Sequence, residues 1–333
     1  MHGNRIMAPE WHDIDAVMLA WPHAQTDWAP WLEEARTTYL NVISAVNRNN
    51  ASVILLCAPD DVDNVLSRLP ESAQVLIVPA SYNDTWMRDY GFITCKDSDG
   101  NGSPVEFRFN GWGNKFNAAE DNLANQRYLA AMCKSALRSS PIVAEGGALE
   151  IDENGHLLST AQCLLNPERN GDMSLSAYED AFKDMLGCSK VTVLQNGHLE
   201  GDDTDGHIDT LVRFTPNEGL VIQACNNRPN DSHFEGLKAL CDECALELPE
   251  HEQFHLPLPN IVNDEGDRLP ASYANYLICN NAILLPVYGE EEDAEAIETV
   301  KRAHPNHVVE PIDCSVLVRQ YGSLHCISMQ VPT

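Results

Sequence analysis

Positive charge is scarce in this sequence. Its 333 residues include 21 Lys and Arg against 50 Asp and Glu, which gives a formal net charge of -29 at pH 7. Such an acidic surface repels phosphate and anionic lipid, so the composition excludes a protein that binds nucleic acid through a basic face. A charged partner of this chain is therefore expected to be a small cation.

Long apolar runs, linkers and a disulfide framework are also missing. No window approaches the ~18 apolar residues of a membrane span, and the chain does not open with a basic segment followed by an apolar one. A protein that is neither membrane-bound nor exported is expected. No tract rich in Pro, Ser or Gly divides the sequence, which predicts one domain over residues 1–333. The 11 Cys residues are odd in number and scattered, which favours reduced thiols and the cytoplasm.

Three apparent metal motifs fail on their context. Residues 251–255 match the HExxH zinc pattern, but prolines at 249 and 257 leave no room for the helix that this pattern requires. The CxxC pair at 241–244 has no second pair, and the loop 201–206 starts with Gly where a calcium loop needs a ligand. The sequence also has no phosphate-binding loop, dinucleotide fingerprint or nucleophile-elbow serine. No metal site is predicted.

Short β-rich runs alternate with helical patterns along the whole sequence, which indicates an α/β fold. The best strand candidates are 51–57, 191–194, 210–214, 219–222 and 282–285. The best helix candidates are 31–46, 118–137, 174–185, 233–244 and 291–304. Residues 53–65 and 283–297 resemble each other, because in both an apolar strand runs through a turn into a helix with acidic residues in its first turn. This similarity suggests a repeated strand–helix unit.

Polar motifs give the first indication of chemistry. His207 and Asp209 flank an apolar residue just before a predicted strand, so a period of two would place both side chains on one face. Near the end of the chain, Cys326 lies in a Gly-containing strand or turn among polar groups, which suits a nucleophile. A solvated turn would account for each polar segment separately, and an isolated Cys is more often simply buried. The residues alone leave these alternatives open.

Taken together, the motifs resemble the agmatine deiminase and bacterial peptidylarginine deiminase family. The resemblance covers nearly the whole chain and keeps the order of the motifs, which lie at 7–11, 20–22, 86–91, 145–147, 158–170, 206–209, 271–276 and 325–332. It implies the pentein α/β-propeller, in which five pseudo-symmetric ββαβ-type units surround a central active-site cleft. The implied activity is agmatine deiminase, which hydrolyses agmatine to N-carbamoylputrescine and ammonia in putrescine biosynthesis.

The resemblance also assigns roles to residues in this chain. Asp89 and Asp209 would hold the planar, permanently charged guanidinium, for which carboxylates are the natural forked acceptors. Cys326, as a thiolate, would attack the guanidinium carbon, and His207 would serve first as acid and then as base. Glu145 would support His207. A metal ion or organic cofactor is not implied.

The remaining expectations concern the surroundings of the reaction centre. The resemblance places Trp86 as a wall of the site and Trp112 near the substrate, where a packing role is an equal alternative. Residues 320–324 and 205–210 depart from the agmatine deiminase pattern, so a peptidylarginine or arginine deiminase stays open as an alternative. An amidinotransferase or a non-catalytic polyamine binder is a more distant alternative. A homodimer is the default expectation for the assembly.

Overall fold

The computed structural model describes residues 5–333, and the strands among them form five separate sheets of three or four strands. Every sheet contains an antiparallel pair next to a parallel pair. A parallel pair needs a crossover connection, whereas an antiparallel pair can be joined by a tight turn. The sequence therefore alternates hairpins with crossovers, as an α/β fold requires.

The first two sheets are formed by strands before residue 195. One has the order β1-β5-β6-β7 and consists of β1 (Ile6–Met7), β5 (Ile93–Lys96), β6 (Gly102–Arg108) and β7 (Arg138–Val143). The other has the order β10-β9-β8 and consists of β8 (Glu150–Ile151), β9 (His156–Thr160) and β10 (Lys190–Leu194).

Two further sheets follow in the C-terminal half, and the last sheet joins the two ends of the chain. The third sheet consists of β11 (Val212–Thr215), β12 (Gly219–Gln223) and β13 (Glu252–Leu256). The fourth consists of β14 (Leu277–Cys279), β15 (Ala282–Val287) and β16 (Val308–Asp313). The fifth has the order β17-β2-β3-β4 and consists of β2 (Ile14–Ala20), β3 (Ser52–Cys57), β4 (Val75–Pro79) and β17 (Met329–Pro332).

The helices connect and cover these sheets. They are α1 (Leu32–Arg48), α2 (Val62–Arg68), α3 (Met87–Tyr90), α4 (Gly111–Asn114), α5 (Ala161–Leu164), α6 (Pro167–Asn170), α7 (Leu175–Leu186), α8 (Phe234–Glu247) and α9 (Asp293–Ala303). In α1, the side chains of Ala35, Tyr39, Val42 and Val46 recur at helical spacing and are buried where the helix contacts β3 and β16. No helix among residues 5–333 is long and apolar enough to cross a membrane.

Most of the predicted elements are confirmed, including the internal similarity. Strand β3 leads through α2 to the parallel strand β4, and β15 leads through α9 to the parallel strand β16. Residues 252–255 of the HExxH pattern lie on β13 and not on a helix, and the CxxC pair lies on α8 with both thiols buried.

The helix predicted over 118–137 is confirmed only over residues 121–132, where the backbone is helical but irregular. The segment forms short 3-10 turns at Asp121–Leu123 and Ala130–Met132 and a π-turn at Asn125–Leu129. Its polar side chains bind distant backbone: Asp121 accepts from the N–H groups of residues 83 and 84, and the Asn125 amide donates to the carbonyl of residue 90. These long-range hydrogen bonds fix the segment against other loops, and a regular helix does not form.

Candidate active site

A cavity of about 130 Å³ lies where the loops that carry the predicted site residues converge. Three of the predicted residues that line it are Asp89 on α3, Trp112 on α4 and Cys326 in the turn before β17. The complete lining is Asp27, Asp84, Trp86, Asp89, Trp112, Phe116, Asp202, Asp203, Thr204, Thr210, Pro270, Gln320, Tyr321, Gly322 and Cys326. The cavity is rich in aromatic and carboxylate side chains, which suits a flat cation.

Cys326 is buried, and its thiol lies beside two polar groups. Its Sγ is 3.2 Å from Nδ2 of Asn275 and 3.8 Å from Oδ2 of Asp209. The Asn275 carbonyl oxygen accepts from the backbone N–H groups of His325 and Cys326, so Asn275 fixes the turn that presents the thiol. Burial, followed by the carboxylates of Asp209 and Asp89, raises the pKa of Cys326 well above its ordinary value. A cation bound beside the thiol would oppose this shift and favour the thiolate.

Asp89 is held by two donors on opposite sides. Its Oδ2 accepts from the indole N–H of Trp112 at 2.9 Å, and its Oδ1 accepts from the backbone N–H of Gly147 at 3.0 Å. Burial raises the pKa of Asp89 to about 6, with further contributions from Asp209 and Glu145 and an opposing one from His207. The carboxylate is thus oriented before a ligand arrives.

Asp209 has one engaged oxygen and one free oxygen. Its Oδ2 accepts from Nδ1 of His325 at 2.8 Å and from Nδ2 of Asn275 at 3.2 Å. Its Oδ1 is buried and has no hydrogen-bond partner within the described part of the chain. Burial raises the pKa of Asp209, but the hydrogen bond and charge of His325 outweigh it and leave the pKa below its ordinary value. Asp209 is therefore an ionised carboxylate with an open acceptor.

His207 is buried with both ring nitrogens unpartnered among residues 5–333. Nδ1 is 3.5 Å from Oδ1 of Asp89, and Nε2 is 3.9 Å from Oε2 of Glu145. Burial lowers the pKa of His207, but Asp89 and then Cys163 and Glu145 outweigh it, so the pKa is raised well above its ordinary value. The ring can therefore hold a proton for transfer at neutral pH.

The local backbone around His207 differs from the sequence prediction. The prediction placed a strand over 210–214 and His207 and Asp209 on one face of an extended segment. Instead, Ile208–Thr210 form a 3-10 turn, and the strand begins at Val212. The two side chains still approach one region, because a Cβ built on Gly147 would lie 2.7 Å from Nδ1 of His207 and 3.1 Å from Oδ2 of Asp209. The turn brings the pair together, whereas the predicted strand geometry was wrong.

Glu145 lies behind His207 and is bound to a cation that the sequence analysis did not select. Its Oε1 and Oε2 accept from Nε of Arg169 at 2.9 and 3.0 Å. Nη1 of Arg169 also contacts Asp205 at 2.8 Å. Burial raises the pKa of Glu145, but Arg169 outweighs it and leaves the pKa below its ordinary value. Glu145 is an ionised group that faces the far side of the His207 ring.

Glu145, Cys163 and His207 are also the group best placed to hold a metal ion. One ligand atom from each lies within 4.8 Å of the others, and all three residues are buried. However, both Glu145 oxygens already accept from Arg169, whose positive charge opposes a cation at this position. The donor set fits an ion pair beside a thiol better than a metal centre.

Trp86 and Trp112 are walls of the cavity. Gly322 packs directly on the Trp86 ring, because a Cβ at position 322 would come within 2.2 Å of it. Trp112 has a left-handed backbone with φ of 55°, which is unusual for a bulky residue and aims its indole N–H at Asp89. Phe109 and Phe116 contact the Trp112 ring edge to face. Both tryptophans line the cavity, and their role toward a substrate stays a prediction.

The outer part of the cavity is acidic. Four Asp side chains line it in addition to Asp89: they are Asp27, Asp84, Asp202 and Asp203. Its lining within residues 5–333 includes no Lys or Arg. Burial raises the pKa of Asp84 to about 6 and that of Asp203 to about 7, so each would gain from a bound cation. Residues 320–322, which depart from the agmatine deiminase pattern, lie on this part of the wall.

Comparison with known proteins agrees with the motifs and the geometry. The family model for Porphyromonas-type peptidyl-arginine deiminases matches residues 6–332. The chain belongs to this family. A family relative from Mycoplasma capricolum, provisionally named agmatine deiminase, is 30% identical, and the match covers 98% of this chain and 95% of that protein.

Solved structures of related proteins have the same fold. A Porphyromonas gingivalis protein described as a provisional arginine deiminase is 40% identical with a TM-score of 0.91, covering 99% of this chain and 98% of that chain. The agmatine deiminase of C. jejuni with substrate bound is 32% identical with a TM-score of 0.92, covering 99% of this chain and 96% of that one. The family relationship therefore extends over the whole described chain.

Three further residues at the site had no role in the sequence analysis. Arg169 and Asn275 lie within the segments 158–170 and 271–276 that carried the family resemblance. The sequence therefore marked both segments, but it did not indicate which residues the two side chains contact. His325 directly precedes the nucleophile candidate, and its contact with Asp209 joins residues 116 positions apart. Such pairings depend on the tertiary fold and have no local periodicity.

Proposed function

We propose that this protein is an agmatine deiminase, which converts agmatine and water to N-carbamoylputrescine and ammonia as a step of putrescine formation. One observation carries the proposal: a buried thiol faces two carboxylates in a cavity whose outer lining is acidic and has no Lys or Arg among the described residues. This arrangement fits a substrate with a guanidinium at one end and an ammonium at the other.

The guanidinium would bind between Asp89 and Asp209. Each carboxylate accepts hydrogen bonds from a planar group whose charge is permanent, and Oδ1 of Asp209 has no other described partner. The walls formed by Trp86 and Trp112 suit the flat faces of this cation. Its positive charge beside Cys326 would favour the thiolate, because the charges that now act on the thiol are those of the Asp209 and Asp89 carboxylates.

The reaction would proceed in two halves. The Cys326 thiolate attacks the central guanidinium carbon, and His207 gives its proton to the nitrogen that leaves as ammonia. The product of this half is a covalent amidino-thioether. A water molecule then gives a proton to His207 and adds to the same carbon, the C–S bond breaks, and the ureido product leaves. Glu145 supports the ring on its far side throughout.

The acidic outer lining favours agmatine over arginine. Arginine carries an α-carboxylate at the position where agmatine has no group, and a buried carboxylate needs a cationic partner. The described lining offers only Asp residues as charged groups besides the thiol. Relatives are named both as arginine deiminase and as agmatine deiminase, so their names do not decide between the two substrates. The choice of agmatine rests on the acidic lining of the cavity.

The fold, the compartment and the assembly complete the proposal. We infer that the five sheets are the units of a pentein propeller and that residues 1–333 form one domain, which the repeated hairpin-and-crossover pattern supports. The 11 cysteines are all free thiols, which supports a reducing compartment such as the cytoplasm. A homodimer stays a prediction.

The test is ammonia and ureido-product release with agmatine, free arginine and an internal-arginine peptide in parallel. We expect turnover of agmatine by the wild type and none by Cys326→Ala. Cys133→Ala, which removes a half-buried thiol outside the cavity, is the matched control and should retain wild-type rates. Preference for the peptide or for arginine would reject agmatine as the substrate, and unchanged turnover by Cys326→Ala would reject the nucleophile.

A further inference from the structure

Behind Asp209, a buried histidine lies between two carboxylates. Nδ1 of His325 is 2.8 Å from Oδ2 of Asp209, and Nε2 is 2.8 and 3.0 Å from the two oxygens of Glu10. The His325 side chain is 1% exposed, so water does not compete for either contact. These hydrogen bonds therefore connect Glu10, near the start of the sequence, to the proposed guanidinium site.

The contact with Asp209 fixes which nitrogen of His325 carries a proton. An ionised carboxylate only accepts hydrogen bonds, so Nδ1 must be the donor. A second proton must then lie between Nε2 and the Glu10 carboxylate for that contact to be attractive. Two acceptors on opposite sides of the ring leave it one orientation.

Glu10 is anchored independently of His325. Its Oε1 lies 2.9 Å from Nη1 of Arg88, and its Oε2 accepts from Arg213 and, at 3.0 Å, from the amide of Gln330. These partners hold the carboxylate in place and balance its charge. His325 can therefore be replaced without leaving Glu10 an unpaired buried charge.

We propose that His325 is a positioning residue for deimination: its Nδ1–H holds Oδ2 of Asp209 so that Oδ1 faces the guanidinium, and Glu10 holds the ring in that orientation. The inference rests on the proposed function. Neither His325 nor Asp209 is among the residues that line the cavity, but Asp209 lies 3.8 Å from Sγ of Cys326, which does line it, and Oδ1 of Asp209 has no partner among the described residues. His325 therefore acts on the substrate only through Asp209.

Two substitutions separate the two contacts of the ring. The side-chain amide nitrogen of His325→Asn takes the place of Nδ1 and can still donate to Asp209. That of His325→Gln takes the place of Nε2 and faces Glu10. We expect His325→Asn to retain kcat/KM for agmatine within about threefold, and His325→Gln to lose about 10- to 100-fold, because a hydrogen bond to a charged group is removed.

The titration of Asp209 itself gives a readout that packing alone would not move. Without the Nδ1 donor the pKa of Asp209, followed by carbon NMR of aspartate-labelled protein, should rise in His325→Gln and stay in place in His325→Asn. The other charged or titratable groups that face Asp209 or His325 are the same in both variants: they are Glu10, Arg88, Asp89, His207, Arg213 and Cys326.

The outcomes separate this inference from the proposed function. Equal losses in the two variants, a larger loss in His325→Asn, or an unchanged pKa of Asp209 in His325→Gln would overturn the positioning role. Failure of the wild type to turn over any guanidino compound would instead reject the proposed function. Should either variant fail to fold, nitrogen NMR of histidine-labelled wild type gives the answer: a protonated Nδ1 on His325 supports the inference, and an unprotonated one overturns it.

Discussion

Gly147 lies at the point where the proposed reactive groups meet. A Cβ at this position would be 2.7 Å from Nδ1 of His207, 2.8 Å from Oδ1 of Asp89 and 3.1 Å from Oδ2 of Asp209. Its N–H also donates to Asp89. The absence of a side chain therefore lets Asp89 approach the pair His207 and Asp209 from a distant part of the sequence.

We expect Gly147→Ala to fold but to lose at least about 100-fold in kcat/KM, because displacing the reactive groups by about 1 Å has such an effect. Steady-state kinetics with agmatine and thermal unfolding together measure this. Gly236→Ala is the control: a Cβ there meets nothing within 4 Å, and in the helix α8 it should stabilise the fold by up to ~1 kcal/mol. Equal kinetics in the two variants would contradict the assigned site.

At the scale of elements, the irregular helical segment 121–132 carries buried polar side chains that bind other loops. Asp121, which is 2% exposed, accepts from the backbone N–H groups of Asn83 and Asp84. Burial, with smaller contributions from Asp84 and Glu120, raises the pKa of Asp121 to about 8 despite these two hydrogen bonds. Because this carboxyl is neutral in the folded state but ionised in the unfolded state, the free energy of unfolding depends on pH.

The sign of that linkage gives a prediction. Between the ordinary Asp pKa of about 3.9 and the folded value of about 8, the folded state binds more protons than the unfolded state. The contribution of Asp121 to the free energy of unfolding is therefore full below about pH 4 and is lost as the pH rises to about 8. Asp121→Asn keeps the acceptor oxygen and cannot ionise.

We expect the Tm of Asp121→Asn, relative to wild type, to rise steadily from pH 5 to pH 8. Calorimetry across this range measures the difference. Asp99→Asn, in an exposed turn, is the matched control and should show a flat difference. A flat difference for Asp121→Asn as well would show that Asp121 is ionised in the folded state.

At the scale of the whole molecule, the net charge of -29 should act on substrate capture. An acidic surface attracts a doubly charged amine, and salt shortens the Debye length from about 30 Å at 0.01 M to about 3 Å at 1 M. We expect kcat/KM for agmatine to fall about tenfold over this range while kcat changes little.

An alkylguanidine with one charge is the control for this measurement. A plot of log kcat/KM against log salt concentration should have about half the slope found for agmatine, because the control compound carries half the charge. A kcat/KM for agmatine that does not depend on salt would show that the surface charge has no part in capture.

The sequence by itself determined the α/β class, because apolar periodicity and turn residues are local signals, and most predicted strands and helices are confirmed, such as β3, β15, α1 and α9. It also determined the family, whose motifs name the residue types of the proposed site. It missed the irregular backbone of the helical segment 121–132, where polar side chains bind distant backbone, and the 3-10 turn Ile208–Thr210, after which the strand predicted over 210–214 begins at Val212.

Only the tertiary structure decided which of these residues touch. Asp209, His325 and Glu10 are far apart in sequence but form one line of hydrogen bonds. Asn275 likewise meets Cys326 across 51 positions. Such contacts arise from the packing of separate sheets and carry no local pattern, because a hydrogen bond depends on distance in space and not on spacing along the chain.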